Sequence, residues 1–234
     1  YNRPVDRKRV KEDFIPGQLG KISILGMGYG MGWYKAAMEV LKGLLGAPPI
    51  QFTTEHLALL NVDPNPFLNN PRKVNMVDAM PSRLDFNDRL IHCIVAEALV
   101  KRYRARYPRI TAREDGFWTI CEQAITAMCE GREFVFGGPN GIFRTAKDRV
   151  YTPQGLWLDY RDIKRDDAGQ ATYFNGRNRT KIYGGLFTEN LDQHIHRTEV
   201  AEPMLEISAR YKVALWTYDA VAAVVPEGRA EEAK

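Results

Sequence analysis

Apolar residues recur at helical intervals through residues 34–46, YKAAMEVLKGLLG, and the run stops at a glycine just before Pro48 and Pro49. That pattern predicts a helix with a defined end. Residues 47–82 carry Pro, Asn and Asp in clusters and predict a loop-rich connection with little regular structure. Within 85–106, Leu90, Ile94, Val95, Ala98, Leu99 and Tyr103 fall three to five positions apart, which predicts an amphipathic helix closed by Pro108. A further helix fits 111–130, ending at Gly131. After Gly137 the pattern changes to short alternating pieces, FRTAKDRVYT and GLWLDYRDI, which predict strands around a PQG turn. The glycine pair Gly184 and Gly185 precedes a helix expected over roughly 188–210. Two β-rich runs, VALWT and VAAVV, then flank Tyr218, Asp219 and Ala220. There is no internal repeat and no low-complexity tract.

The stretch GKISILGMGYGMG, residues 20–32, supports two structures. As a strand running into alternating glycines it resembles a dinucleotide-binding turn, but Met31 stands at the third glycine position and no second strand with an acidic end follows. As a helix it places Lys21, Leu25 and Tyr29 four apart on one stripe. Each interior glycine then costs about 1 kcal/mol relative to alanine, a cost repaid where another backbone or a base must approach closely. The local sequence leaves both open.

Composition narrows the class only a little. With 234 residues and 44% apolar content the chain is long enough for one large or two small domains with a real core. A net charge of +4 permits a polyanionic partner without demanding one. The cations are clustered, however: Lys101, Arg102, Arg104, Arg106, Arg109 and Arg113 form one group, and Arg177, Arg179 and Lys181 a second. Cys93, Cys121 and Cys129 lack the paired spacing of a zinc site or a disulfide framework and are expected as buried thiols. No apolar run approaches the roughly 18 residues of a membrane span, and the polar start has none of the marks of a signal peptide. These features imply no membrane partner and an intracellular protein.

Several separate segments, taken in order, resemble one family. Lys21, Leu25, Tyr29 and Gly30, within 17–32, are similar to motif B of family A (DNA polymerase I-like) DNA polymerases, particularly the bacteriophage branch. YRARYPRI (103–110) followed by Trp118 resembles a fingers segment of those enzymes, and TPQGLWLDY a strand entering their palm. RTKIYGGLFTENLDQHIHR (179–197) and LWTYDAVAAVVPE, in the region 211–227, are similar to a palm helix and to the motif C hairpin.

The resemblance implies an α+β fold, with a helical fingers-like region over 1–138 and part of an antiparallel-sheet palm over 139–230. It implies template-directed DNA synthesis with Mg²⁺ as cofactor, in the cytoplasm of a phage-infected bacterial host. Asp219 would be the catalytic and metal-binding carboxylate. Lys21 would meet the phosphates of the deoxynucleoside triphosphate, Leu25 its base and sugar, and Tyr29 with Gly30 the templating position. Asn190, Gln193 and Glu189 would face the minor groove of primer–template DNA, Arg179 and Arg104 its phosphates, and Tyr218 the primer terminus. This sequence differs from the family at Gly17, where an arginine is common, at Tyr218 in place of histidine, and at Ala220, where glutamate is frequent. The second metal-binding aspartate, in motif A, falls upstream of Tyr1 in the family order, so a second polypeptide or an upstream segment carrying motif A, thumb and the rest of the palm is expected as a partner. The rival expectations are a noncatalytic DNA-binding remnant of such an enzyme and, less favoured, an NAD-binding oxidoreductase.

Overall fold

The computed structural model describes residues 5–6, 13–43, 48–217 and 220–231. The chain is mixed α and β with small antiparallel sheets, and it divides into two compact units after Thr119.

The first unit is helical. α1 (Phe14–Ile22) runs directly into a single π-helical turn (Ser23–Met27), followed by α2 (Trp33–Lys42). The glycine-rich stretch is therefore coiled, and the strand that a dinucleotide-binding turn needs is not formed there. α2 ends at Gly43, whose φ of 80° lies in the left-handed region.

The segment 47–82, expected to be mostly loop, instead contributes three short helices: α3 (Thr54–Leu59), α4 (Asn65–Leu68) and α5 (Pro71–Asp78). Two of its prolines, Pro66 and Pro71, stand in the first turn of a helix rather than breaking one. Pro71 stands at the first helical position of α5, where a missing N–H costs nothing, and the Asn70 side chain accepts from the Lys73 N–H at 3.2 Å.

α6 (Phe86–Arg106) is the centre of this unit. Asp85 caps it by accepting the Asp88 N–H at 2.9 Å. The expected amphipathic stripe understates it, since residues 92–98 are buried without interruption. Ile22, Val40, Phe52, Phe67, Val77 and Met80 pack around its Cys93, Ile94, Val95 and Ala96. A helix enclosed on every side must satisfy its polar groups internally. Glu97 receives Lys73 at 2.5 Å and Lys101 at 2.9 Å. Burial opposes its charge, but these two ammonium groups outweigh burial and hold the carboxyl below its usual range.

His92 is wholly buried and clamps two backbones. Its Nδ1 accepts the Phe52 N–H at 3.0 Å, so Nε2 carries the proton and donates to the Ala37 carbonyl, also at 3.0 Å. Burial lowers its pKa below the ordinary 6.5, against the Ala37 bond, which favours the charged form. Below about pH 6.5 the unfolded chain therefore takes up a proton that the folded chain refuses, and stability falls as pH drops. The expected result is a melting temperature that declines below that pH more steeply in wild type than in His92→Gln. His194, in the second unit, is depressed in the same sense, so the difference between the two proteins isolates His92.

The helix expected over 111–130 is split. Pro108 starts a separate single turn, α7 (Pro108–Thr111), and α8 (Phe117–Cys129) begins after Gly116. In the second unit, the first sheet is a meander of β1 (Val135–Phe136), β2 (Phe143–Ala146), β3 (Arg149–Tyr151) and β4 (Trp157–Asp159). Thr145 pairs with Val150, and Val150 with Leu158. A second sheet comprises β5 (Lys164–Arg165), β6 (Ala171–Phe174) and β7 (Arg179–Lys181).

α9 (Gly184–Ser208) starts earlier than expected, because the glycine pair forms its buried first turn. There the Glu122 carboxylate accepts the Gly184 N–H at 2.6 Å, a negative charge at the positive end of the helix. β8 (Lys212–Trp216) and β9 (Val221–Val224) form the expected hairpin, with Trp216 opposite Val221. Tyr160, Phe187, Phe136 and Phe143 are buried together, with ring centroids 5.1–6.3 Å apart. Cys93 and Cys121 are buried, and burial pushes their thiols up to about 12; Cys129 is half-buried. Among the described residues no helix is long and apolar enough to cross a membrane.

Candidate functional site

Two clusters gather the sequence-selected residues, one in each unit. The first is built on the π-helical turn. Such turns are rare and concentrate at functional sites. The Ser23 hydroxyl donates back to the Leu19 carbonyl at 2.8 Å, and the Met31 N–H reaches Gly26 O at 3.0 Å, closing the wide turn. Leu25 is 41% exposed, Lys21 and Tyr29 are half-buried, and Lys21 makes no ion pair among the described residues. Gly30 takes a φ of 88°, which ends the coil.

Gly28 is where two separately chosen segments meet. Its carbonyl accepts the Trp118 indole N–H at 3.0 Å. A Cβ at this position would lie 2.9 Å from the Tyr103 hydroxyl and 2.4 Å from the Ile24 carbonyl oxygen, so only glycine fits without a shift. Arg104 lies over the Trp118 ring with its guanidinium carbon 5.7 Å from the centroid. Tyr103, Arg104 and Trp118 come from the segment 103–118, and Gly28 from the glycine-rich stretch. The sequence placed Tyr103 and Trp118 in a pattern but gave them no position, because the contact spans ninety residues.

The second cluster is a cleft of about 490 Å³ lined by Leu158, Asn190, Gln193, His194, Arg197, Trp216 and Thr217. Asn190 is held by Tyr160, to whose hydroxyl its amide donates at 3.0 Å. Burial raises the Tyr160 pKa well above its usual value, against that amide bond, so the phenol stays neutral. Gln193 is exposed and donates to Glu189 at 3.1 Å. Arg197 lies over the Trp216 ring, 5.6 Å from its centroid. The Nε2 of His194 is out of solvent with no hydrogen-bond partner among the described residues, and burial together with the Arg197 charge lowers its pKa. His194 and Arg197 sit in the segment 179–197 and were legible as part of it. Leu158 and Trp216 lie in the stretches TPQGLWLDY and LWTYDAVAAVVPE, which predicted strands but gave neither residue a place in a cleft, since they arrive from separate strands.

Thr217 is the last described residue before the hairpin turn, and its N–H donates to the Ala220 carbonyl at 2.8 Å. Tyr218 and Asp219 lie outside the described residues. Among the described residues no three of His, Cys, Asp and Glu come together, and the cleft lining offers amides, an imidazole and a guanidinium. A hard cation such as Mg²⁺ takes oxygen ligands, so a metal here depends on Asp219 and on at least one further carboxylate. Arg179 is committed within its own sheet: its guanidinium meets the Asp162 carboxylate at 2.5 Å and the Asp162 carbonyl at 2.7 Å. Arg104 makes no ion pair among the described residues. No protein-family model, curated protein or solved structure matches the chain.

Proposed function

We propose that the chain is the fingers and partial palm of a family A-type DNA polymerase, of the bacteriophage kind, acting with a segment or partner chain that carries motif A. The single observation supporting this most strongly is the junction at Gly28. Two stretches chosen for their likeness to that family, 17–32 and 103–118, meet there: the Trp118 indole N–H donates to the Gly28 carbonyl, and the Tyr103 hydroxyl packs where a side chain at Gly28 would stand. The cleft beneath the β8–β9 hairpin supports it too, because Asn190 and Gln193 line it beside Thr217.

On this proposal the primer 3′-hydroxyl oxygen bonds to the α-phosphorus of the incoming nucleotide, its proton passes to water, and the bond to pyrophosphate breaks. Such a reaction needs little covalent help from protein and much electrostatic positioning. Lys21, which makes no ion pair among the described residues, would meet the triphosphate, Leu25 would offer an exposed apolar contact to base and sugar, and Tyr29 with Gly30 would form the edge of the templating position. Asn190 and Gln193 offer amides to minor-groove acceptors, which are shared by all base pairs and so test pairing without reading sequence. Tyr218 would face the primer terminus, and Asp219 with the motif A aspartate would hold Mg²⁺. Mg²⁺, when bound, neutralises charge developing on the phosphates. The engagement of Arg179 by Asp162 leaves Arg104 as the stronger phosphate contact of the two.

The test is primer extension with radiolabelled primer and Mg²⁺. The chain mixed with a polypeptide bearing motif A and thumb should extend the primer, whereas either one alone should not. Full extension by the isolated chain refutes the need for a partner, and failure of the mixture to extend while still binding DNA favours a noncatalytic DNA-binding protein.

A further inference from the structure

The corner between α6 and α7 holds three exposed cations, of which only Arg104 has a partner, the Trp118 ring, among the described residues. Arg104, Arg106 and Arg109 are all exposed and make no ion pair among the described residues. Their neighbours differ: Lys101 pairs with Glu97 at 2.9 Å, and Arg102 donates to the Leu60 carbonyl. Arg113 is followed directly by Glu114 and Asp115 and so is locally balanced. Tyr107, 43% exposed, stands between Arg106 and Arg109 in the chain.

Tyr107 is not loose. Its ring lies 4.7 Å from that of Tyr103, which is 9% exposed and abuts Gly28. The Thr111 hydroxyl bridges the corner, donating to the Arg104 carbonyl at 2.7 Å and to that of Tyr107 at 3.1 Å. Cations near a helix C-terminus are favoured by the helix dipole, and that accounts for Arg104 and Arg106. It accounts neither for Arg109, beyond the end of α6, nor for an aromatic ring held rigid and half in water.

We propose that this corner binds single-stranded DNA, with Arg104, Arg106 and Arg109 on successive phosphates and the Tyr107 ring stacked on an unpaired base. Guanidiniums along a strand and an aromatic face among them are what an unpaired polynucleotide requires. A duplex offers phosphates equally well but keeps its base faces stacked inside, leaving the Tyr107 face without a ligand. Resting on the polymerase proposal, this identifies the corner as the holder of the template strand ahead of the primer, since Tyr103 connects it to the turn that carries Leu25 and Tyr29.

The test is fluorescence anisotropy of the full chain with a labelled single-stranded dodecathymidylate and with a blunt duplex of equal length, over a range of NaCl concentrations. The single strand should bind more tightly than the duplex. Each phosphate contact to a single strand contributes about 0.7 to the slope of log K against log salt. Arg106→Gln/Arg109→Gln should therefore flatten that slope by about 1.4, while leaving Arg104 on Trp118. Tyr107→Leu should weaken binding by roughly tenfold at every salt concentration with the slope unchanged, and Tyr107→Phe should restore it. An unchanged slope in the double variant, a Tyr107→Leu protein that binds like wild type, or a duplex bound as tightly as the single strand overturns the proposal. All of these positions are exposed, and equal melting temperatures establish that the variants are folded. The binding readout needs neither metal nor partner, so it stands or falls separately from primer extension.

Discussion

Asp219→Ala should abolish the primer extension proposed for the chain mixed with a motif A polypeptide, with a loss of at least about 10³-fold in kcat. The hairpin that carries this position is fixed on both sides, by the pairing of Trp216 with Val221 and by the Thr217–Ala220 bond of 2.8 Å. Truncating the carboxylate therefore leaves the strands intact. The loss falls on kcat because a metal held between two carboxylates stabilises charge that appears only as the new bond forms. Nucleotide affinity, which the proposal assigns to Lys21 and Leu25, should change much less. Asp219→Asn, which keeps the shape and removes the charge, should be equally inactive. Pre-steady-state incorporation of a single nucleotide separates the two quantities. Retention of wild-type incorporation by Asp219→Ala would sink the catalytic assignment and leave a DNA-binding protein.

Gly28→Ala should destabilise the first unit by about 2–3 kcal/mol. The new methyl would meet a backbone carbonyl at 2.4 Å and the Tyr103 hydroxyl at 2.9 Å, and neither has room to move. Tyr103 is buried against Met27, Ala36 and Val100, and the Ile24 carbonyl already accepts the Gly28 N–H at 3.2 Å. Relief would require opening the π-helical turn and releasing the Trp118 indole. Gly20→Ala is the matched control, since a Cβ at Gly20 meets nothing within 4 Å. It should stabilise α1 by up to about 1 kcal/mol through helix propensity. Urea denaturation of the two variants, compared through their midpoints, distinguishes them. Equal midpoints would show that the Gly28 junction is slack.

How far the chain can be understood without coordinates depends on where each signal originates. α6 and the β8–β9 hairpin were legible from their periodicity; α2 was legible as a helix, but it ends at Gly43 rather than at the expected glycine before Pro48, and 44–46 lie outside the described residues. The prolines of 47–82 misled because a proline's effect depends on whether it stands at the first turn of a helix or inside one, and Pro71 is of the first kind. The glycines at 184 and 185 were expected ahead of the helix and are its first turn, because burial against the second unit's core favours residues without side chains. For the candidate site, the four-residue spacing of Lys21, Leu25 and Tyr29 was visible, whereas the π-helical turn was not. That turn is secured by Trp118, ninety residues away, and no local window contains the partner. The cleft beside Thr217 is of the same kind, assembled from three elements whose individual patterns say only strand or helix.

The uninterrupted burial of residues 92–98 bears on how this chain tolerates variation. A helix with one wet side accepts almost any residue there, and a lineage can rewrite that side freely. α6 has no such side over two turns, so exchange at any one of these seven places must be matched by a neighbour, and mutational libraries should show depletion without periodicity. Arg106, the last residue of the same helix, and Arg109, just beyond it, are exposed and bear no such packing burden. Any intolerance found there reports a bound ligand rather than a folded core.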